Sequence, residues 1–264
     1  WVRSRSGSSS SSSDNAGVLS AREFVAWYNG HPDFGHIGPI VQQALSPRCN
    51  GTSKSNIVII GQGNVALDCA RILAKTKDAL NVTDITTEAL NSHAIRQQPQ
   101  QEREIHVLGR RGHIQASFTI KELRELTKLE DDCHARCIVR EEELELGSTE
   151  SSLQELKSLR PKKRIDKLLR DVANSTADHD DVTTQQLETS IHLRFLLQPN
   201  EFQFSKQKFK ATDEKWITKV KAERTRLEGE AKEQKAIPTG ELEEIDADLV
   251  RRVLMWHCRS ATYT

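Results

Sequence analysis

Long apolar runs are missing from this sequence of 264 residues, of which 36% are hydrophobic and 29% are charged. No stretch approaches the roughly 18 uncharged apolar residues that a transmembrane helix needs, so the sequence predicts no membrane-spanning segment. A net charge is missing as well, because 38 Lys and Arg residues balance 38 Asp and Glu residues. Without a positive field over the whole surface, nucleic acid is not an expected partner, and only local basic patches remain to be considered.

Cysteines are few, and their spacing fits neither a disulfide framework nor a zinc site. The sequence Cys133-His134-x-x-Cys137 lacks a second Cys or His pair at ligand spacing. We therefore predict no metal site and reduced thiols in an intracellular protein. The five cysteines are Cys49, Cys69, Cys133, Cys137 and Cys258.

No Ser/His/Asp or Cys/His arrangement marks a nucleophile, and we predict no catalytic side chain in this chain. His106 lies inside an apolar stretch that reads as a strand. It is expected to be packed in that strand rather than to act as a base.

The two ends of the sequence are atypical. Residues 1–16 are Ser-rich, have nothing apolar to bury and are expected to be disordered. Their Arg and Ser content resembles a transit peptide, but no amphipathic apolar face accompanies it, so no presequence is identified. Because the chain begins with Trp1 and its single Met is Met255, we expect a fragment of a longer protein.

One domain is expected over residues 17–250, followed by an atypical tail over 251–264. Within the domain, 75–103 and 130–190 are polar excursions. Alternation of apolar strands with helical patterns predicts an α/β fold with a central parallel sheet, and the strands after residue 191 predict an additional β-rich part. Helices are expected at 20–28, directly after residue 63, at 119–129 and at 160–173; strands at 56–60, 104–108, 191–197, 216–222 and 224–227; irregular structure at 31–55; a loop at 174–190; and a turn at 236–240.

The most informative motif is Gly61-x-Gly63-x-x-Ala66, which follows the strand and opens the next helix. In a dinucleotide-binding turn, the first glycine permits the tight bend. The second glycine lets the backbone approach a pyrophosphate, and the small third residue allows close packing of helix and sheet. The pyrophosphate would lie on the amides that open the helix, where the helix dipole favours anions. A single motif of this kind occurs, so a second dinucleotide site is not expected in this sequence.

The end of the second strand distinguishes NAD from NADP. An NAD site normally has an acidic residue there for the ribose 2′-hydroxyl. Here the sequence is Gly109-Arg110-Arg111-Gly112. Two guanidinium groups suit the oxygens of a 2′-phosphate, so NADP(H) is the predicted cofactor.

Further stretches carry a family resemblance. They are 17–30 (GVLSAREFVAWYNG), 61–71 (GQGNVALDCAR), 109–112 (GRRG) and 118–125 (FTIKELRE), extended by 160–164 (RPKKR), 226–229 (RLEG) and 238–240 (PTG). In this order they resemble the NADPH:adrenodoxin oxidoreductase family, the mitochondrial ferredoxin–NADP⁺ reductases. The resemblance covers roughly residues 17–250.

The resemblance implies a flavoprotein with two dinucleotide-binding domains. In that family an FAD domain is built from N- and C-terminal segments, and this chain resembles the NADP domain inserted between them. NADPH would pass a hydride to FAD, and the flavin would release single electrons to a ferredoxin. The implied cofactor-binding residues are Gly61, Gln62, Gly63, Asn64 and Val65 at the pyrophosphate, Arg110 and Arg111 at the 2′-phosphate, and Glu122 at the nucleotide.

The same resemblance implies a partner surface. Arg124, Arg160 and Arg164 match the basic surface for an acidic ferredoxin, or adrenodoxin, and Lys162 and Lys163 add to the positive charge within this cluster. It further implies a protein of the mitochondrial matrix, associated peripherally with the inner membrane and without a transmembrane segment.

Two departures from the family leave alternatives open. The FAD fingerprint does not precede residue 17, and residues 251–260 replace an apolar strand, so both ends are expected to be truncated or misread. The chain taken literally is then a nucleotide-binding module that is inactive alone. A third reading is a relative of the glutamate synthase small subunit, which shares the glycine turn but more often carries iron–sulfur cysteines.

Overall fold

A computed structural model describes residues 16–46, 54–92, 94–97, 102–177, 189–205, 215–252 and 260–263. The predicted disordered segment 1–16 lies outside the described residues except for Ala16, whose backbone pairs with Lys215 and Ile217. The same holds for 253–259 and Thr264 of the predicted tail.

The centre of the fold is a six-stranded sheet in which every neighbouring pair of strands is parallel. Its spatial order is β1-β9-β2-β3-β5-β4. The strands are β1 (Val18–Ser20), β2 (Ser55–Ile60), β3 (Arg103–Leu108), β4 (Ala135–Val139), β5 (Thr189–Arg194) and β9 (Leu249–Arg252). This sheet confirms the predicted α/β, Rossmann-like fold class.

Helices pack on one face of this sheet. Alternate residues of a strand face opposite sides of the sheet. Ile57 and Ile59 of β2 face the helices, where they belong to the same buried core as Phe24 and Leu73. The helices are α1 (Ala21–Tyr28), α2 (Ile37–Leu45), α3 (Asn64–Ala74), α4 (Lys77–Leu80), α5 (Thr87–Leu90), α6 (Ile120–Thr127), α7 (Leu129–Cys133), α8 (Glu141–Gly147), α9 (Glu150–Ser158) and α10 (Arg160–Ala177).

A second sheet covers the opposite face, as the predicted β-rich part requires. Val58 and Ile60 of β2 pack there against Phe202 and Val220. The spatial order is β10-β6-β7-β8, with β6, β7 and β8 antiparallel and β10 parallel to β6. The strands are β6 (Leu197–Ser205), β7 (Trp216–Glu228), β8 (Lys235–Asp246) and β10 (Ser260–Tyr263).

Several predicted elements are confirmed. Strands 56–60 and 104–108 lie within β2 and β3. The helix expected from residue 20 begins with a capping box. The Ser20 side chain accepts a hydrogen bond from the Glu23 amide, and the Glu23 side chain accepts one from the Ser20 amide. Thr119 caps α6, and the helix expected at 160–173 runs to Ala177.

Other boundaries were wrong, and each has a physical reason. The segment 31–55 contains α2, because Pro39 lies in the first helical turn, where its missing N–H costs no hydrogen bond. The expected turn at 236–240 lies inside β8, an edge strand that tolerates Pro238. Strand 191–197 divides at Leu196, whose φ of 54° breaks the extended backbone.

The two strands expected at 216–222 and 224–227 form the single strand β7, with a register shift between Glu223 and Thr225. The polar excursions also contain regular structure: α4 and α5 lie in the first, and β4, α8 and α9 in the second. β4 was not predicted because its buried face is short and weakly apolar, consisting of Ala135, Cys137 and Val139. Residues 178–188 of the expected loop lie outside the described residues.

Candidate nucleotide-binding site

The turn from β2 to α3 bends sharply at Gly61. Its φ of 130° is one that side-chain-bearing residues rarely adopt, which accounts for glycine here. The Gly61 amide donates to the Leu108 carbonyl over 2.9 Å. The bend therefore joins the carboxyl ends of β2 and β3, whose last residues, Ile60 and Leu108, are register partners.

The start of α3 offers free amides. Gly63 occupies the N-cap position with extended backbone, and within the described residues no side chain caps the helix. Asn64 and Val65 follow and are exposed, while the amides of Ala66 and Leu67 donate to the Gly63 carbonyl. An uncapped first turn combined with the helix dipole suits an anion such as a pyrophosphate.

Gln62 ties this turn to a third strand. Its Nε2 donates to the Arg194 carbonyl over 2.7 Å, and the Gly109 amide donates to the same carbonyl over 2.9 Å. A Cβ on Gly109 would lie 2.3 Å from Cδ of Gln62, so a side chain here would displace the Gln62 side chain. The Gln62 side chain thus positions the loop, and its backbone faces the site.

The loop after β3 holds Arg110 and Arg111 by their backbones. The Arg110 carbonyl accepts from the Thr225 hydroxyl over 2.7 Å, and the Arg111 carbonyl accepts from the Leu196 amide over 3.1 Å. Both arginines are exposed, and neither guanidinium pairs with a carboxylate among the described residues. Two fixed, unneutralised cations at this point suit a phosphate.

A cavity of about 340 Å³ joins the two motifs. It brings Gly61 and Gln62 together with Arg110 and Arg111, as a dinucleotide site requires. The Ser117 hydroxyl closes one side by donating to the Gln62 carbonyl over 3.0 Å. The cavity is lined by Ile60, Gly61, Gln62, Leu108, Gly109, Arg110, Arg111, Gly112, Gln115, Ala116, Ser117, Gln198 and Pro199.

Sequence reasoning missed part of this lining. Gln198 and Pro199 belong to β6, far along the chain, and only the packing of the second sheet brings them here. Ser117 carried a local signal, because it precedes the N-cap Thr119 of α6. A Cβ on Gly63 would lie 3.1 Å from the Ser117 oxygen, so loop and turn are in close contact.

Three predicted nucleotide residues, Gly63, Asn64 and Val65, lie beside the cavity at the start of α3 and do not line it. Asn64 Oδ1 accepts from the Thr119 amide over 2.8 Å, which links α3 to α6. Glu122 lies on α6, with its carboxylate 3.7 Å from a guanidinium nitrogen of Arg71. The structure thus directs Glu122 toward α3.

The predicted partner residues lie outside the cavity. Arg124 is exposed on α6, and Arg160 and Arg164 are exposed on the first turns of α10, a helix that packs against α6. Among the described residues none of these three guanidinium groups has a carboxylate partner. They form an unneutralised basic surface near the nucleotide-binding turn.

His106 is packed in β3, as predicted, and stacks on His192 of β5 with ring centroids 4.6 Å apart. Glu104 Oε1 lies 3.1 Å from Nε2 of His106 and 3.5 Å from Nε2 of His192. Burial lowers the pKa of His192 to about 4, so this ring is neutral near pH 7. The ligand atoms of Glu104, His106 and His192 lie within 4.8 Å of one another, a spacing at which they could hold a metal ion, although no metal site was predicted here.

No helix in the described part of the chain is long and apolar enough to cross a membrane.

Comparisons with known proteins agree with this geometry. The chain is 35% identical to the NADPH:adrenodoxin oxidoreductase of Arabidopsis thaliana over 90% of its own length and 44% of the relative. It is 36% identical to the human protein of that name over 89% of its own length and 42% of the relative. No protein-family model matches the sequence.

A solved structure, Mycobacterium tuberculosis FprA in complex with NADPH, superposes with a TM-score of 0.66 and 32% identity. The superposition covers 89% of this chain and 44% of FprA. The chain spans less than half the length of these curated relatives. Over about nine-tenths of its length it is nevertheless similar to the NADPH:adrenodoxin oxidoreductases, which confirms the resemblance predicted from its motifs.

Proposed function

We propose that this chain is the NADP(H)-binding part of a flavoprotein oxidoreductase, with residues 17–250 as the nucleotide-binding domain. One observation carries the proposal: one cavity brings the Gly61 turn together with Arg110 and Arg111, whose guanidinium groups have no carboxylate partner in the described part of the chain. Arg251 and Arg252 lie in β9 of the central sheet, which supports including them in the proposed domain.

The residues present fit the cofactor. The backbone amides of Asn64 and Val65 would bind the pyrophosphate. The adjacent arginines Arg110 and Arg111 would bind the 2′-phosphate with bidentate contacts. Bound NADPH supplies a hydride. The role of this chain is to bind and orient the nucleotide, for which it needs no catalytic side chain of its own.

The test is the double variant Arg110→Ala/Arg111→Ala. Each charge-assisted contact contributes about 1.5–3 kcal/mol, so the affinity for NADPH should fall by roughly 100-fold or more. Affinity for NADH should stay within about twofold, since NADH lacks the 2′-phosphate. Isothermal titration measures both, with Arg22→Ala, an exposed arginine on α1, as the matched control. Equal loss for both cofactors would refute the assignment.

The whole protein is proposed to pass electrons from NADPH through FAD to a ferredoxin. Support comes from the relatives' name and from FprA, which are similar to this chain over about nine-tenths of its length. The inactive-module alternative applies to these 264 residues by themselves, which contain one dinucleotide motif. The glutamate-synthase-like alternative has no separate support in the site.

Purification of the chain tests the flavin assignment. We expect protein without the yellow absorption of bound flavin and without NADPH-dependent reduction of a ferredoxin. A flavin spectrum at one equivalent per chain would overturn this division of roles. NADPH binding by the same preparation is the control that shows a folded nucleotide site.

The exposed arginines support a protein partner. Arg124, Arg160 and Arg164 lie on two packed helices without neutralising carboxylates, and such a surface would steer an acidic ferredoxin or adrenodoxin. The relatives are named mitochondrial, which supports a mitochondrial location for this chain. The matrix, with peripheral association to the inner membrane, is proposed from the family resemblance alone.

A further inference from the structure

Lys162 differs from the basic residues around it. Arg160, Lys163 and Arg164 are exposed, whereas Lys162 is half-buried. Its Nζ donates a hydrogen bond to the carbonyl of Ala116. Helical geometry turns this side chain inward, while its neighbours in the predicted partner-binding cluster face solvent.

The Ala116 carbonyl places Lys162 behind the wall of the nucleotide cavity. Ala116 is part of the cavity lining, as are Arg110 and Arg111, whereas Lys162 itself is not. An ammonium group has three donors, so one bond to Ala116 leaves two for another acceptor. The start of α10 thus holds a cation one hydrogen bond away from a residue of the wall that Arg110 and Arg111 also line.

The electrostatics of Lys162 agree with this position. Burial lowers the pKa of Lys162, and the positive charge of Arg111 lowers it further. Glu155 acts in the opposite direction, but its carboxylate also accepts from the Lys232 amide over 3.3 Å. An anion bound between Lys162 and Arg111 would relieve the repulsion between the two cations.

We propose that Lys162 is a third cationic contact for the 2′-phosphate of NADP(H) and so contributes to the choice of NADP over NAD. This inference rests on the proposed function. Arg110 and Arg111 would give planar, bidentate contacts, and Lys162 would add a compact positive charge from the start of α10. The start of α10 would then serve two ligands, with Lys162 facing the nucleotide and its neighbours facing the partner.

The test compares Lys162→Gln with Lys163→Gln. Both remove one positive charge from the same helical turn, and glutamine at 162 retains an amide donor for the Ala116 carbonyl. Isothermal titration of the whole chain with NADPH, NADH, 2′,5′-ADP and 5′-AMP reports the role of the 2′-phosphate. We expect Lys162→Gln to weaken NADPH and 2′,5′-ADP about tenfold and to leave NADH and 5′-AMP within about twofold. Lys163→Gln should change none of the four.

Rescue separates binding from structure. Lys162→Arg keeps the charge and should retain most of the preference for 2′-phosphorylated nucleotides. Equal weakening of NADPH and NADH by Lys162→Gln would show a structural role through Ala116 and overturn the inference. An unchanged preference would overturn it too. If Arg110→Ala/Arg111→Ala abolishes the preference while Lys162→Gln leaves it intact, the proposed function stands and the role of Lys162 falls. Failure of the unmodified chain to bind NADPH would overturn both.

Discussion

Arg194 and Arg251 are both buried in the central sheet, but their surroundings differ. The Arg194 guanidinium donates to the Glu143 carboxylate over 2.8 Å and to both oxygens of Glu243 over 2.7 and 2.8 Å. The three guanidinium nitrogens of Arg251 have no hydrogen-bond partner among the described residues, and the group lies 4.1 Å from the ring centroid of Phe24. One buried charge is compensated, and the other is not.

The difference shows how buried charge is tied to the nucleotide site. Because Arg194 is held on both sides, its carbonyl is fixed where it accepts from Gln62 and Gly109. Arg251 supports nothing comparable and disfavours the folded state by the cost of burying an unpaired cation. Arg110 and Arg111 differ from both buried arginines, because they are exposed. Neither pairs with a carboxylate among the described residues, so both guanidinium groups can bind a ligand.

The largest effect is expected at Glu143. Its carboxylate, fully buried, also accepts from Arg224 and from the Phe195 amide, so Glu143→Gln removes one of the two carboxylates that compensate Arg194 and Arg224 and leaves Glu243 as the remaining one. The free energy of unfolding should fall by about 3–5 kcal/mol in a urea titration. Glu145→Gln on the same helix breaks a surface pair with Arg170 and should cost only about 0–1 kcal/mol. Equal losses in the two variants would erase the distinction between buried and exposed pairs.

A smaller effect of opposite sign is expected at Arg251. Leucine retains apolar contact with Phe24 and removes the unpaired charge, so Arg251→Leu should raise the free energy of unfolding by about 1–4 kcal/mol. Arg252→Leu, the next residue of β9, is only half-buried and should change stability by less than about 0.5 kcal/mol. A destabilised Arg251→Leu would show that the guanidinium has a partner that compensates it.

The pH dependence sharpens this test. Burial lowers the pKa of Arg251 to about 9, below its usual value of 12.5. Above pH 9 the folded state releases this proton before the unfolded state does, so the penalty of burial shrinks as pH rises. The stability gain of Arg251→Leu should therefore be full at pH 8 and smaller at pH 10. A gain that does not change between pH 8 and pH 10 would contradict the lowered pKa of Arg251.

The smallest effect on stability is expected at the exposed arginines. Arg160→Glu/Arg164→Glu should alter the free energy of unfolding by less than about 0.5 kcal/mol and leave NADPH affinity unchanged. In the whole protein that carries this domain, the change should slow association with an acidic ferredoxin. Stopped-flow rates should also fall with salt, because the Debye length is about 10 Å at 0.1 M. An unchanged association rate at low salt would show that this surface has no steering role.

The sequence predicted the parts of the site that depend on local geometry. The glycine turn at Gly61 and the arginine pair after β3 were both recognisable, because a tight turn and the end of a strand depend on residues that are adjacent in the sequence. Gln198 and Pro199 were not, since β6 reaches the cavity only through tertiary packing. The contact of Lys162 on α10 with the cavity-lining Ala116 has the same origin. Ion pairs such as Arg194 with Glu143 were equally out of reach, because they join residues about fifty positions apart.

Element boundaries followed the same rule. Strong apolar runs such as β2 and β3 were predicted within one residue at each end. α2 was missed because Pro39 and Gly38 suggested irregular structure, and β8 was interrupted in the prediction by Pro238. In both cases a residue that usually breaks an element lies at a place, a first helical turn or a sheet edge, where the fold tolerates it.

One measurement tests the central claim most directly: the affinity of the unmodified chain for 2′,5′-ADP compared with 5′-AMP, by isothermal titration at fixed salt. The two ligands differ only in the 2′-phosphate that Arg110 and Arg111 are proposed to bind. We predict that 2′,5′-ADP binds at least about tenfold more tightly, since one charge-assisted contact alone contributes about 1.5 kcal/mol or more. Equal affinity for the two nucleotides would contradict an NADP-specific site in this cavity.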